Sequence, residues 1–244
     1  TGWLFDLTAP SYVPFMKFSE RRDLREMMYR QYNTRAFGGE LDNSKIIKRI
    51  AELRIKVANI LGYKNFAEYQ TERRMAKSPA VVEEFLNKLL KPALPKARQE
   101  VEELNAYAKE KGFNEEILMP WDFSFYSEKL RTEKYDLNDE MLKPYFQLDH
   151  CIDAIFDLAN RLYGITFSEL SDIPVYHPDV KVYEVKDKDG SHLALFYADF
   201  FPRDSKRGGA WMTEFRCQRI YDNIDERPLI SIVTNFTKPT ANTP

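Results

Sequence analysis

Cysteine and histidine are scarce in this chain. Its 244 residues include 2 cysteines, Cys151 and Cys217, and 3 histidines, His150, His177 and His192. Two cysteines are too few for a disulfide framework, which excludes the small disulfide-stabilised secreted class and favours a reducing compartment. We therefore expect a cytoplasmic location. A periplasmic location stays open, because the first residue is not Met and a preceding signal would not be visible.

The chain also lacks long apolar runs and an excess of charge of one sign. No stretch approaches the roughly 18 uninterrupted apolar residues that cross a bilayer. The 36 Lys and Arg nearly balance the 38 Asp and Glu, so the summed field does not recruit polyanions. We expect neither a membrane nor a nucleic acid as a partner. Hydrophobic residues, at 43%, are sufficient for a substantial core.

Amphipathic helical patterns fill the chain up to about residue 170. Apolar residues recur there at steps of three and four, which places them on one face of a helix. The clearest patterns span residues 46–61, 81–90 and 148–162. Gly62 and Gly164 are expected to end the first and the last of these helices. Pro92 and Pro95 are expected to kink or break the helix that follows the second pattern.

The pattern changes to that of strands from about Val180. Residues 180–185 and 192–201 flank a polar turn that ends in glycine, which predicts an antiparallel hairpin. A third β-rich run spans residues 229–235. Both faces of residues 193–201 are largely apolar, so we expect this strand to be covered on two sides.

These patterns predict a mainly α fold with a small antiparallel β-sheet in the C-terminal part. The helical region is expected to span residues 1–170, and a β-containing region with a hairpin and a further strand is expected over residues 171–244. No internal repeat or Gly/Ser-rich linker separates the two regions. We therefore treat them as parts of one continuous piece.

Motifs of common catalytic sites are not found in the sequence. Zinc hydrolases present two histidines from one helix as H-E-x-x-H, which this chain does not contain. His150 and Asp153 can share a helical face, but a polar helix edge explains them better. A nucleophilic Cys151 or Cys217 would need a nearby base and an electropositive pocket. Cys151 instead fits the apolar face of its helix, which favours packing.

One basic turn could bind an anion. Its residues are Arg203, Lys206, Arg207, Gly208 and Gly209. Free backbone amides and cationic side chains in such a turn can hold a phosphate or a carboxylate. The alternative is a structural turn in which these cations pair with Asp199 or Asp204, and we favour this interpretation.

The span 196–212, FYADFFPRDSKRGGAWM, resembles a signature stretch of the thimet-oligopeptidase family of zinc metallopeptidases. Further stretches resemble the bacterial dipeptidyl carboxypeptidase (peptidyl-dipeptidase) branch of that family, in the same order along the chain. They are residues 2–16, 32–35, 61–69, 73–79 and 228–239. The resemblance therefore covers essentially the whole chain.

The resemblance implies that this chain is an internal fragment of a larger catalytic domain. In the family, the last of these stretches precedes the H-E-x-x-H helix, the third zinc ligand and the assisting Tyr and His residues. We therefore expect zinc in the full-length parent and none bound by this fragment. No catalytic or metal-binding residue is assigned to any position here, and the chain alone is expected to be inactive.

The family also implies a fold and a substrate class. We expect a two-lobed, zincin-like peptidase with a deep channel, in which the small sheet adjoins the zinc helix. Such a channel admits short peptides. The dipeptidyl carboxypeptidase branch removes C-terminal dipeptides, whereas the other branch cuts internally, and the residues themselves do not decide between these two cleavage modes.

Asp199, Arg203 and Lys206 match charged positions of the family's strand-and-turn motif. The expected role is an ion-paired brace that holds the sheet near the cleft, with direct peptide contact as the alternative. Two other functions stay open from the residues alone. One is a non-catalytic helical binding or scaffold module, and the other is a hydrolase that uses His150 or a cysteine. The sequence does not indicate an oligomeric state.

Overall fold

The computed structural model describes residues 2–136 and 141–239. Its α-helices are Ala9–Phe18 (α1), Arg22–Asn33 (α2), Ser44–Ile60 (α3), Phe66–Thr71 (α4), Pro79–Glu110 (α5), Pro120–Tyr135 (α6) and Leu148–Tyr163 (α7), with a short 3₁₀ helix at Lys143–Tyr145. About 48% of the structure is helical, which confirms the mainly α class. Within the described residues, no helix has the length and apolar character that a membrane span requires.

The strands follow α7 along the chain. They are Thr166–Leu170 (β1), Lys181–Lys186 (β2), His192–Asp199 (β3), Trp211–Arg216 (β4), Arg219–Tyr221 (β5), Ile224–Glu226 (β6) and Leu229–Val233 (β7). The first strand therefore begins before residue 171, where the β-containing region was expected to start. Residues 240–244, the end of that expected region, lie outside the described residues.

The chain divides into two compact units. One comprises Thr1–Pro14 and Tyr135–Pro244, and the other comprises Phe15–Lys134. The second unit is helical, and part of its core forms where Leu104 and Ala108 of α5 pack with Leu118. A buried ion pair joins Arg25 of α2 to Asp122 of α6, with 2.9 Å between Nη2 and Oδ1.

Helix α5 runs without interruption from Pro79 to Glu110 and contains both Pro92 and Pro95. Of the two predicted effects, a kink or a break, the break is therefore wrong. Ser78 starts the helix, because its side chain accepts a hydrogen bond from the Val81 amide. The two prolines lie within one turn, so the backbone hydrogen bonds that they remove are confined to that turn.

The five-stranded sheet has the order β1-β2-β3-β7-β4. The predicted hairpin is confirmed, since β2 and β3 pair antiparallel. The prediction of an antiparallel sheet is wrong, because β3 and β7 pair parallel, with Asp199 opposite Val233. The sheet is mixed because β7 enters between β3 and β4 after a long connection, and periodicity along a strand does not specify its neighbour. Strands β5 and β6 form a separate two-stranded sheet.

Helix α7 packs on one face of this sheet. Ile152 of α7 joins Tyr183, Ala198 and Phe200 in a buried cluster. Phe156 stacks on Phe167 of β1, with 4.0 Å between the ring centroids. The helix ends as predicted, since Gly164 adopts the left-handed conformation with φ of 75°. Gly62, which follows α3, has φ of 86° and likewise confirms the predicted end.

Candidate functional site

The candidate site lies at the end of β3, where Asp199 accepts hydrogen bonds from three side chains. Arg203 binds it through both terminal nitrogens, with 2.9 Å from Nη1 to Oδ1 and 2.9 Å from Nη2 to Oδ2. Lys206 Nζ lies 2.9 Å from Oδ1 and also donates to the carbonyl oxygens of Asp199 and Phe201. Tyr176 donates its hydroxyl proton to Oδ2 at 3.1 Å. The turn after β3 is thereby tied to the end of the strand.

Burial makes this cluster sensitive to charge. The side chains of Asp199 and Lys206 are each 2% exposed, whereas that of Arg203 is 22% exposed. Burial by itself would raise the pKa of Asp199, but the hydrogen bonds from Arg203, Lys206 and Tyr176 outweigh it and hold that pKa below its usual value. The bond to Asp199 raises the pKa of Arg203. Asp199 is therefore held as a carboxylate.

Tyr176 completes the cluster from a loop before β2. Burial, together with the charge of Asp199, raises the pKa of Tyr176 to about 12. The phenol is therefore protonated at neutral pH and acts as a donor. The guanidinium of Arg203 lies 5.7 Å from the centre of the Tyr176 ring, at cation–π distance.

A cavity of about 320 Å³ adjoins the cluster. Aromatic side chains of Tyr176, Trp211 and Phe215 line it, together with the exposed Arg207. Asn235, which follows β7, fixes the basic turn by donating to the carbonyl oxygens of Arg207 at 3.0 Å and Gly209 at 2.7 Å. Of the predicted anion-binding residues, Arg203, Lys206 and Arg207 all line the cavity, and the first two also bind Asp199.

The histidines lie on separate elements. His150 is exposed on α7, together with Asp153. The Nδ1 atom of His192 lies 3.1 Å from Glu184 Oε1, and that of His177 accepts from the amide of Asp179. Across residues 2–136 and 141–239, no three His, Cys, Asp or Glu side chains are grouped so that they could hold a metal ion. A protein zinc site needs three or four such ligands close together, and these described side chains do not form one.

The cysteines do not have the surroundings of nucleophiles. Cys217 donates to Glu214 at 2.7 Å, and this hydrogen bond raises the pKa of the Cys217 thiol. A raised pKa lowers the thiolate fraction, which is the reactive form. Cys151 is half-buried and lines an apolar cavity of about 580 Å³ with Leu148 and Phe201, among others. This position agrees with a packing role.

Sequence reasoning missed two residues of the site. Tyr176 lies 23 residues before Asp199, in a stretch that was interpreted only as a boundary. Asn235 belongs to a strand-like run, and nothing in its spacing links it to a turn 26 residues earlier. The pairing of β2 with β3 brings the segment of Tyr176 to Asp199, and the pairing of β4 with β7 brings Asn235 to the turn. The one signal in the sequence was Asp199 itself, because a buried carboxylate needs hydrogen-bond donors. It does not indicate which residues donate.

Comparison with known proteins identifies the family to which this chain is similar. The model described as peptidase family M3 matches residues 15–244. The chain is 39% identical to "Oligopeptidase A" of Escherichia coli (strain K12), over 100% of this chain and 36% of that protein. It is 42% identical to "Probable cytosolic oligopeptidase A" of Arabidopsis thaliana, over 99% of this chain and 35% of that protein.

The second type of relative is "Dipeptidyl carboxypeptidase" of Escherichia coli (strain K12), at 39% identity over 99% of this chain and 35% of that protein. The chain thus spans about a third of the length of these relatives. Identity does not separate the two types, since both Escherichia coli proteins match at 39%. The predicted resemblance is nevertheless confirmed. Because the family pattern extends from residue 15 to residue 244, this chain belongs to peptidase family M3.

Proposed function

We propose that this chain is part of a zinc-dependent oligopeptidase that acts on short peptides, and that the whole protein is a peptidyl-dipeptidase that removes C-terminal dipeptides. The observation that carries the proposal is the family match over residues 15–244. The relatives named for dipeptidyl carboxypeptidase activity, at 39% identity, support the cleavage mode. The relatives named oligopeptidase A support peptide hydrolysis without specifying that mode.

The proposal includes inactivity of the 244 residues on their own. The absence of an H-E-x-x-H motif from this sequence supports it, as does the lack of a metal-binding group among the described residues. In the whole protein we place the metal and the reacting groups on other polypeptide, around a channel between two lobes. The contribution of this chain is then a scaffold, with its β-containing region beside the zinc helix.

Within that scaffold, Asp199, Arg203 and Lys206 are proposed to brace the sheet. The depth of burial of Asp199 and Lys206 supports a structural role, because a group that is 2% exposed has little surface left for a substrate. Arg207 lines the same cavity as these three residues and differs from them in being exposed. We therefore assign direct peptide contact to Arg207 rather than to the brace.

The test compares the 244-residue chain with the product of the full reading frame that encodes it. Both are loaded with zinc, dialysed and analysed for bound metal by mass spectrometry. A fluorescence-quenched peptide then reports cleavage, and product masses separate release of dipeptides from internal cutting. We expect stoichiometric zinc and dipeptide release from the full product, and neither from the chain.

Each contrary result identifies a different error. Tight stoichiometric zinc on the 244 residues would contradict the assignment of the ligands to other polypeptide. Internal fragments from the full product would replace the dipeptidase with an endopeptidase. A full product without zinc and without cleavage would favour the non-catalytic scaffold. Turnover by the chain that a thiol reagent blocks would favour a cysteine hydrolase, against which the raised pKa of Cys217 argues.

A further inference from the structure

Helix α3 carries an apolar stripe that is exposed. Ile46, Ile50, Leu53 and Val57 recur at steps of three and four, so they lie on one face of the helix. Their exposed fractions are 56%, 43%, 43% and 43%, in that order. Four large apolar residues on one face, each about half exposed, form a contiguous patch of the kind that marks an interaction surface.

The stripe is not the face by which α3 packs in its own unit. Helix α3 contacts α4, and Ala58 is its fully buried residue, with 0% exposed. Adjacent residues of a helix point about 100° apart, so Ala58 points to one side of the stripe that contains Val57. The internal packing of the unit therefore uses one side of α3 and leaves the apolar stripe on another.

The stripe has a basic border. Helix α3 contains five basic residues and one acidic residue, and the basic ones are Lys45, Lys48, Arg49, Arg54 and Lys56. Lys45, Arg49 and Lys56 lie on one flank of the stripe by helical geometry. Arg49 pairs with Glu52, at 3.2 Å. The net positive charge favours a covering surface with acidic residues at its edge.

The first half of α5 also carries large apolar residues that are exposed. Phe85, Leu86, Leu89 and Leu90 are 58%, 56%, 52% and 54% exposed. The second half of the same helix packs through Leu104 in the core of the unit. The same helix thus has an apolar face that is exposed in its first half and buried in its second half. This continuity indicates that the exposed half is a packing face and not a solvated one.

We propose that the exposed stripe of α3 is covered by an amphipathic helix with an acidic border, supplied by the part of the family protein that lies outside the residues matched here. The relatives support this source, because this chain accounts for only 36% of the length of Oligopeptidase A. A segment of the same polypeptide is present at an effective concentration in the millimolar range, whereas a second copy must associate from dilute solution. The inference rests on family membership and not on peptidase activity.

The test uses the full-length product of the reading frame. Ile50→Glu places a carboxylate in the stripe, and the matched control Asn59→Glu places the same side chain on the opposite side of α3. Asn59 is exposed. We expect Ile50→Glu to lower the melting temperature by roughly 5 °C or more, with Asn59→Glu near the parent value. The oligomeric state, measured by light scattering, should not change.

Three results would overturn the proposal. Equal melting temperatures for Ile50→Glu and the parent would show that nothing covers the stripe. Conversion of a dimer to a monomer by Ile50→Glu alone would identify a second copy as the partner. A reading frame with no further polypeptide would remove the proposed source. Loss of peptidase activity in the parent protein would leave the melting comparison intact, so the two proposals fail separately.

Discussion

At the scale of single residues, the cluster at Asp199 depends on one buried carboxylate. Lys206 is as deeply buried as Asp199, and it donates to Asp199 and to two backbone carbonyl oxygens. Without the carboxylate, two cations would face each other in a poorly solvated site. Asp199 therefore serves as the common anchor of Arg203, Lys206 and Tyr176, and the fold of the turn depends on its charge.

Arg203→Ala should lower the stability of the chain. The change removes two hydrogen bonds to Asp199, while Lys206 continues to neutralise it, so we expect a loss of about 2 kcal/mol in the free energy of unfolding. Thermal and urea denaturation measure it. The matched control is Arg207→Ala on the same turn, whose exposed side chain should change stability by less than about 0.5 kcal/mol. Equal stability of the two variants would contradict the brace.

The pH dependence of stability provides a second prediction at this scale. The pKa of Asp199 lies below its ordinary value of 3.8, so on acidification the unfolded chain takes up the proton first. The stabilising contribution is complete above the ordinary value and is lost as the pH falls through the folded pKa, with a limiting slope of about 1.4 kcal/mol per pH unit. Below pH 4, the stability of the parent should therefore approach that of Asp199→Asn.

Urea denaturation of both proteins between pH 7 and pH 3 measures this difference. Asp204→Asn, at an exposed neighbour of the same type, is the matched control, and we expect its stability at pH 7 to lie within about 0.5 kcal/mol of the parent. A constant difference between the parent and Asp199→Asn over the whole range would contradict the role assigned to the ionised carboxylate.

Part of this chemistry was predictable from the sequence. Arg203 and Lys206 lie four and seven residues after Asp199, so the alternative of a turn that pairs with Asp199 was accessible from local spacing. Tyr176 was not, because it reaches the site only through the fold. The buried ion pair of Arg25 with Asp122 also forms only through the fold, since 97 residues separate its partners. Local patterns contain no information on such contacts.

At the scale of elements, α7 shows what a helical stripe can and cannot predict. The pattern correctly predicted the helix and its end at Gly164. Only part of the stripe reaches the sheet, however, since Ile152 is 8% exposed and Ile155 is 62% exposed. Phe156 packs against the same cluster as Ile152, so the contact with the sheet uses this side of α7 and does not include Ile155.

This difference gives a prediction for α7. Ile152→Ala should destabilise the chain by about 2–5 kcal/mol, because it leaves a cavity against Tyr183 and Phe200. Ile155→Ala is the matched control on the same helix, and we expect less than about 1 kcal/mol for it. Circular dichroism during thermal unfolding measures both. Similar losses for the two variants would mean that Ile155 is buried in solution.

The order of strands was beyond sequence reasoning. The hairpin of β2 and β3 was predictable, because its turn is short and ends in glycine. The position of β7 was not, since it pairs with β3 on one side and with β4 on the other after intervening segments. An alternating or apolar run indicates a strand, but the choice of neighbour is made by tertiary packing.

At the scale of the whole molecule, the sequence predicted apolar faces better than it predicted the core. The stripe of residues 46–61 predicted a helix with one apolar face, and the helix is present. Its apolar residues are nevertheless exposed, with Ile60 at 84%. Periodicity shows that a face is made to be covered, but the covering polypeptide has to be identified by other means. Under our proposal, it belongs to the roughly two thirds of the relatives' length that this chain does not span.

The place of β7 in the sheet also has a consequence for synthesis on the ribosome. The chain emerges from its N-terminal end, so β1, β2 and β3 can pair as soon as they leave the exit tunnel. Strand β4 then has no partner in this sheet until β7 is made, because β7 is its neighbour and follows it along the chain. A nascent chain that stops before Leu229 therefore displays two open strand edges, which are templates for misassociation and natural targets for chaperones.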